Sequence, residues 1–236
     1  MARPVRIADI VEVVYDEERW RIFERLRERA LELMEVLVKH RFDPMVHGSV
    51  ARGDVNKGSD IDVFVPHVAP SYQIELALRE LGSSPMKREI VMATPWQLPK
   101  AHIYLEEDRS VTFPLVEPRR LEFEFYHFGG AANIEQVRQA TRVAGVDKRL
   151  MLIEPTPRGH LESQVVGREA EVAKRVGVSL DIVRERVQVL TRRVDVGHTG
   201  VFLQRELAPD ENIEAVFKQL VERNPAMKLR LRKQLP

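Results

Sequence analysis

Residues 47–65 read His-Gly-Ser-Val-Ala-Arg-Gly-Asp-Val-Asn-Lys-Gly-Ser-Asp-Ile-Asp-Val-Phe-Val. Gly48-Ser49 can open a tight turn, because glycine lacks a Cβ and lets backbone approach a ligand closely. The Ser49 hydroxyl and nearby N–H groups are donors suited to phosphate oxygens. A second turn at Asn56, Lys57, Gly58 and Ser59 leads into Ile61, Val63, Phe64 and Val65, which carry the composition of a buried strand. Alternate strand residues share a face, so Asp60 and Asp62 point the same way. Two carboxylates so placed repel each other unless a cation neutralises them. Oxygen-only ligands suit Mg²⁺, which bridges protein carboxylates to substrate phosphates.

These residues must be positioned by a scaffold, and the flanking sequence predicts one. Residues 16–40 read as one helix, with Trp20, Phe23, Leu26, Ala30, Leu33, Met34 and Leu37 recurring at three- and four-residue steps. Met45-Val46-His47 reads as the strand entering the Gly-Ser turn, and a short helix is expected from Ser49 to Gly53. Ser71 to Leu81 is expected to be a helix capped by Ser71. Ala101–Leu105 and Ser110–Val116 read as a hairpin, Asn133–Val143 as a helix capped by Asn133, and Arg149–Glu154 as a strand. Strand, helix, then several strands is an α+β order.

The segment resembles the signature of the DNA polymerase β-like nucleotidyltransferase superfamily: a hydrophobic residue, Gly-Ser, about ten residues, then Asp-hydrophobic-Asp-hydrophobic. Val46, Gly48, Ser49, Asp60, Ile61, Asp62 and Val63 carry the match, with His47 standing between Val46 and Gly48. The wording is most similar to the catalytic motif of archaeal CCA-adding enzymes and to predicted archaeal standalone nucleotidyltransferases. The resemblance implies a small mixed sheet, an NTP substrate and two Mg²⁺ ions, which activate an attacking hydroxyl and stabilise a leaving pyrophosphate. It implies that Asp60 and Asp62 are catalytic metal ligands and that Gly48 and Ser49 hold the nucleotide. Arg52, Lys57 and Ser59 flank the grip and complete the nucleotide-binding candidates. It also implies a third acid from a later strand. Leu121 to Phe128 reads as that strand, with Glu122 and Glu124 on one face. Glu124 is favoured as catalytic residue and metal ligand because it is central in the aromatic run, and Glu122 is the reserve.

Pro155-Thr-Pro-Arg-Gly159 reads as a linker dividing a nucleotidyltransferase domain (1–157) from a C-terminal domain (158–236). Within the latter, Ala170, Val172, Ala173 and Val176 mark one helix, Gly177-Val178-Ser179 a turn, and Ile182, Val183, Val187 and Leu190 a second helix. That is the helix-turn-helix layout. The second helix offers Arg184, Gln188 and Arg192 to nucleic acid, and Val194 to Leu203 reads as a wing through Gly197-His198-Thr199-Gly200. His160 and Glu162, just past the linker, read as surface or packing residues, with a place near the active site as the alternative. The chain has 236 residues and net charge +1, so it carries no strong overall electrostatic commitment. Its basic excess falls in the C-terminal part, at Lys228, Arg230, Arg232 and Lys233. It has no cysteine, which excludes disulfides and Cys-based zinc sites. No stretch approaches the ~20 apolar residues of a membrane span, and a cytoplasmic protein is expected. The sequence therefore supports an Mg²⁺-dependent nucleotidyltransferase acting on a hydroxyl acceptor such as RNA or protein. The rival is a DNA-binding regulator or antitoxin-like protein with a vestigial transferase fold.

Overall fold

The computed structural model describes residues 10–82, 84–196 and 200–232. The first part of the chain runs β1 (Val11–Val14), α1 (Glu17–Lys39), β2 (Met45–His47), α2 (Ser49–Arg52), β3 (Ile61–Phe64), α3 (Ser71–Arg79), β4 (Lys87–Met92), β5 (Lys100–Glu106) and β6 (Arg109–Pro114). It continues with α4 (Arg120–Phe128), β7 (Ala131–Asn133), α5 (Ile134–Arg138), β8 (Gly145–Val146), β9 (Met151–Thr156) and β10 (Gly159–Gln164). The chain then closes with α6 (Glu169–Val176), α7 (Leu180–Val196), β11 (Leu203–Glu206), α8 (Ile213–Arg223) and α9 (Pro225–Arg232).

The strands form two sheets. The larger has the order β11-β4-β5-β6-β3-β2-β7 and is mixed: β3 and β6 pair in parallel, and the other pairs are antiparallel. Alternation decides its faces. Ala101, Ile103 and Leu105 of β5 are buried with Phe23, Leu26, Ala30, Leu33 and Leu37 of α1, whereas Lys100, His102 and Tyr104 take the opposite face. Helix α1 starts where the Asp16 side chain accepts from Arg19 N–H at 2.8 Å, with Glu17 and Glu18 in its first turn to complement the helix dipole. Its apolar stripe closes one face of the sheet and leaves the other for polar chemistry.

The second sheet, β1-β10-β9-β8, corrects the expected linker. Pro155 to Gly159 is the end of β9, a tight turn and the start of β10, with Gly159 opposite Thr156. The Pro and Gly residues that suggested a linker serve a hairpin. A second core joins Phe128, Val146, Leu150, Leu152, Val165, Val172, Ala173, Ile182 and Val183, so α4, the second sheet, α6 and α7 pack as one layer.

The two C-terminal helices and their turn form as expected. Gly177 has φ +77°, and the Ser179 hydroxyl accepts from Ile182 N–H at 3.4 Å at the start of α7. The wing does not form as expected: Val194 to Val196 continue α7, and Leu203 belongs to β11, which pairs with β4 of the larger sheet. Gly197-His198-Thr199 lies outside the described residues. The helix expected to reach Val143 is the shorter α5, capped by Asn133 as anticipated. Ser71 begins α3 without capping it; Glu214 of α8 binds the Ser71 amide and, at 2.8 Å, its hydroxyl.

Candidate active site

A cleft of about 780 Å³ opens between the polar side of the larger sheet and the second layer. Gly48, Ser49, Arg52, Ser59, Asp60 and Asp62 all line it. Six residues spaced along the sequence motif thus meet in one concavity of the size that holds small ligands. Gly48 stands at φ +79°, ψ −146°, a conformation a side chain resists, and its N–H donates to Gly130 O at 2.9 Å. That turn swings the chain from β2 directly into α2. Asn56 and Ser59 close the second turn: Asn56 N–H donates to Ser59 Oγ at 2.9 Å, and Gly58 N–H donates to Asn56 Oδ1 at 2.8 Å. Ser49 Oγ donates to Ser59 Oγ at 3.3 Å, which ties the two turns together.

Asp60 and Asp62 flank Ile61 at the start of β3, with the Ile61 side chain fully buried behind them. Desolvation first, and the Asp62 charge second, raise the Asp60 pKa above the usual carboxylate range; Lys148 opposes the rise. The unfavourable pairing is what a cation would relieve. Asp62 sits in a cross-strand row. His47 of β2 is directly opposite it on one side and Ser110 of β6 on the other, and Ser110 Oγ donates to Asp62 Oδ1 at 3.0 Å. Burial lowers the His47 pKa to about 4 against the opposing pull of Asp62, so the ring is neutral near pH 7. Tyr126 covers the next position, stacked on Phe64 with ring centroids 3.6 Å apart. Lys100 donates to the Tyr126 hydroxyl at 3.4 Å, and burial lowers its pKa.

The expected third acid is not delivered. Leu121 to Phe128 lies within helix α4, where residues two apart lie on different sides, so Glu122 and Glu124 cannot share a face. Glu122 accepts from Arg119 N–H at 2.8 Å and pairs with buried Arg230 at 2.8 Å. Glu124 accepts from the Ser179 hydroxyl and N–H and faces Arg120 at 3.6 Å. Neither lines the cleft. The alternating Leu-Glu-Phe-Glu-Phe pattern fits a strand, but Leu121, Phe125 and Phe128 also fit helical spacing, and packing on the second core selects the helix. Among the described residues, no cluster of three or more acidic or histidine side chains is arranged to hold a metal. The strand position beside Asp62 is occupied by the Ser110 hydroxyl, and the next by Thr112, bonded to His102 at 2.7 Å.

Two basic candidates are also placed differently from expectation. Lys57 turns out to Glu18 of α1 at 2.8 Å and does not line the cleft. Arg52 does, but its guanidinium binds Gly129 O and Asp54, the latter at 2.8 Å, and so braces the loop under the grip.

Residues 13–123 match the family model described as nucleotidyltransferase domain. The match supports the polymerase β-like nucleotidyltransferase superfamily for this segment. Searches of curated proteins and of solved structures returned no match. The nucleotidyltransferase segment covers just under half of the chain and ends inside α4. It contains both turns and both aspartates, but only one wall of the cleft.

The other wall comes from residues that local sequence could not reveal. Phe125 and Phe128 of α4, Asp147, Lys148 and Arg149 between β8 and β9, and Arg186 and Leu190 of α7 complete the lining. Arg186 lies over the Phe125 ring at 5.0 Å. Helical spacing puts Arg186 and Leu190 on the side of α7 opposite Arg184, Gln188 and Arg192, which are exposed. The two faces of α7 therefore address different things: the transferase cleft and the solvent. His160 and Glu162 connect to the same wall, through Glu162 to Arg149 at 2.6 Å. No signal short of the fold joins them to Asp60.

Proposed function

We propose that the protein transfers a nucleotidyl group from an NTP to a hydroxyl acceptor with release of pyrophosphate. The observation that carries this reading is the meeting of Gly48, Ser49, Asp60 and Asp62 in one cleft. The donor set fits a divalent cation: one aspartate in β3 and one just before it, the latter with its pKa raised by desolvation and by its neighbour, and open space for phosphate oxygens and water. Asp60 and Asp62 would hold Mg²⁺. Bound there, the metal would supply charge neutralisation at the reacting phosphoryl group.

The chain's own residues would do the rest. The Gly48-Ser49 turn would seat the phosphates, and Ser110 would hold Asp62 in orientation. His47 would keep a neutral, close-packed wall beside the acids, and α4 with α7 would exclude water behind the nucleotide. Positioning and electrostatic complementarity are the expected sources of rate. The exposed row Arg184, Gln188 and Arg192 supports an RNA or other nucleic-acid acceptor, although a protein side chain has the same hydroxyl chemistry.

The test is incubation with each labelled NTP, Mg²⁺ and total RNA. Label transfer that disappears in Asp62→Ala supports the enzyme. Absence of NTP and metal binding, alongside tight sequence-selective duplex binding, would instead support the regulator with a vestigial transferase fold.

A further inference from the structure

We propose that the cleft takes up one divalent cation with its nucleotide, not the pair that the superfamily resemblance implies, because a serine stands where a third acid would have to stand. The inference rests on the nucleotidyl-transfer reading and sets the metal count of the same site. A pair of Mg²⁺ ions brings four positive charges together at roughly 3.5–4 Å. Such a pair needs carboxylates beyond those that hold the first ion.

The sheet decides which residues could supply one. Strand β3 has two neighbours, β2 and β6. Directly opposite Asp62 stand His47 of β2 and Ser110 of β6, and residues paired in register share a face. Neither brings a negative charge. Ser110 is a hydroxyl already donating to Asp62 Oδ1 at 3.0 Å, and an imidazole is neutral or positive. The next residue of β6 on that face is Thr112, bonded to His102 at 2.7 Å. Beside Asp60, the acid whose charge reaches it, after Asp62, is Asp108. Arg29 of α1 binds both Asp108 oxygens, each at 2.7 Å.

The rest of the cleft offers no substitute. Besides Asp60 and Asp62, its described lining holds two carboxylates, Asp54 and Asp147. Asp54 pairs through Oδ2 with Arg52 at 2.8 Å; its Oδ1 has no partner, yet the guanidinium already matches its charge. Asp147 accepts from the N–H groups of Arg149 at 2.8 Å and Met151 at 3.0 Å, and pairs with the Arg149 guanidinium at 2.6 Å. The polar face of the sheet also has a resident cation. Lys100 of β5 reaches the Tyr126 hydroxyl at 3.4 Å, and its charge acts on Asp62. A second Mg²⁺ on that side of Asp62 would face this ammonium with no further carboxylate to offset it. The two charges of Asp60 and Asp62 match a single divalent ion.

The experiment counts bound ions with Mn²⁺ as the probe. Wild type, Ser110→Ala and Ser110→Asp are each mixed with an equal amount of a non-hydrolysable NTP and titrated with Mn²⁺. Loss of the free-ion electron paramagnetic resonance signal gives the ions bound per complex. Wild type and Ser110→Ala are expected to bind one. Ser110→Asp is expected to bind two, with the broadened signal of a coupled pair. Two ions in wild type would overturn the proposal, and so would a count that stays at one in folded Ser110→Asp. If Ser110→Asp does not fold, the wild-type count decides alone. Wild type that binds neither Mn²⁺ nor nucleotide would overturn the nucleotidyl-transfer reading itself, and this inference with it.

Discussion

Asp60 carries a carboxylate whose folded pKa lies above its unfolded value, through desolvation and the neighbouring Asp62. A raised carboxylate favours the protonated form on folding, so its contribution to stability is lost as pH rises through that range. Asp60→Asn is accordingly expected to raise Tm in metal-free buffer at pH 7. Adding Mg²⁺ and NTP should raise Tm of the wild type and not of the variant, because only a ligand of the native state stabilises it. Glu124 gives the opposite contrast. Its carboxylate serves Ser179 at the entrance to α7. Glu124→Gln should therefore lower the urea midpoint, by about 1–2 kcal/mol of stability, and leave kcat unchanged. A collapse of kcat with stability intact would return Glu124 to the metal site. That Asp60 and Asp62 meet in one cleft was legible in sequence from their two-residue spacing around the buried Ile61. Glu124 was misread because the same spacing means something else on a helix.

At the scale of elements, the grip is backed by a contact between the two layers. A Cβ on Gly145 of β8 would lie 2.5 Å from Gly130 N, and Gly130 O accepts from Gly48 N–H at the grip. Gly145→Ala must push backbone against backbone. It should cost about 1–3 kcal/mol and weaken nucleotide binding, measured by denaturant unfolding and nucleotide titration. Normal binding with lowered stability would separate the two layers functionally. Helices α1, α6 and α7 and the β5–β6 hairpin were legible because each carries a local signal: a repeated apolar stripe, a Gly turn before a Ser cap, or alternation around a charged turn. Strands β1 and β11 carry short, mixed patterns, and their pairing partners β10 and β4 lie far away in the chain. Pairing across that separation leaves no local trace.

For the whole molecule, two half-buried histidines are expected to weaken the fold in acid. His47 and His102 both have pKa values lowered to about 4, chiefly by burial. Both remain neutral in the fold while the unfolded chain protonates near 6.5, so stability is full above 6.5 and falls as pH drops toward 4. Each contributes about 1.4 kcal/mol per pH unit inside that window. A Tm profile from pH 7 to pH 4 should show this slope, reduced in His102→Asn. A profile equally steep in the variant would assign the acid loss to other groups. The layout of the molecule also explains why half of the cleft was invisible in the sequence. The nucleotidyltransferase segment supplies the acids and turns in one short motif, whereas Lys148, Arg186 and Leu190 reach them only through a second sheet and α7. The most direct test is calorimetric titration of a non-hydrolysable NTP into the wild type and Asp62→Asn, with and without Mg²⁺. Binding that requires Mg²⁺ and is lost in Asp62→Asn is the expected result. NTP binding that is equal without metal and in the variant, or absent throughout, would contradict a metal-dependent nucleotide site built on Gly48, Ser49, Asp60 and Asp62.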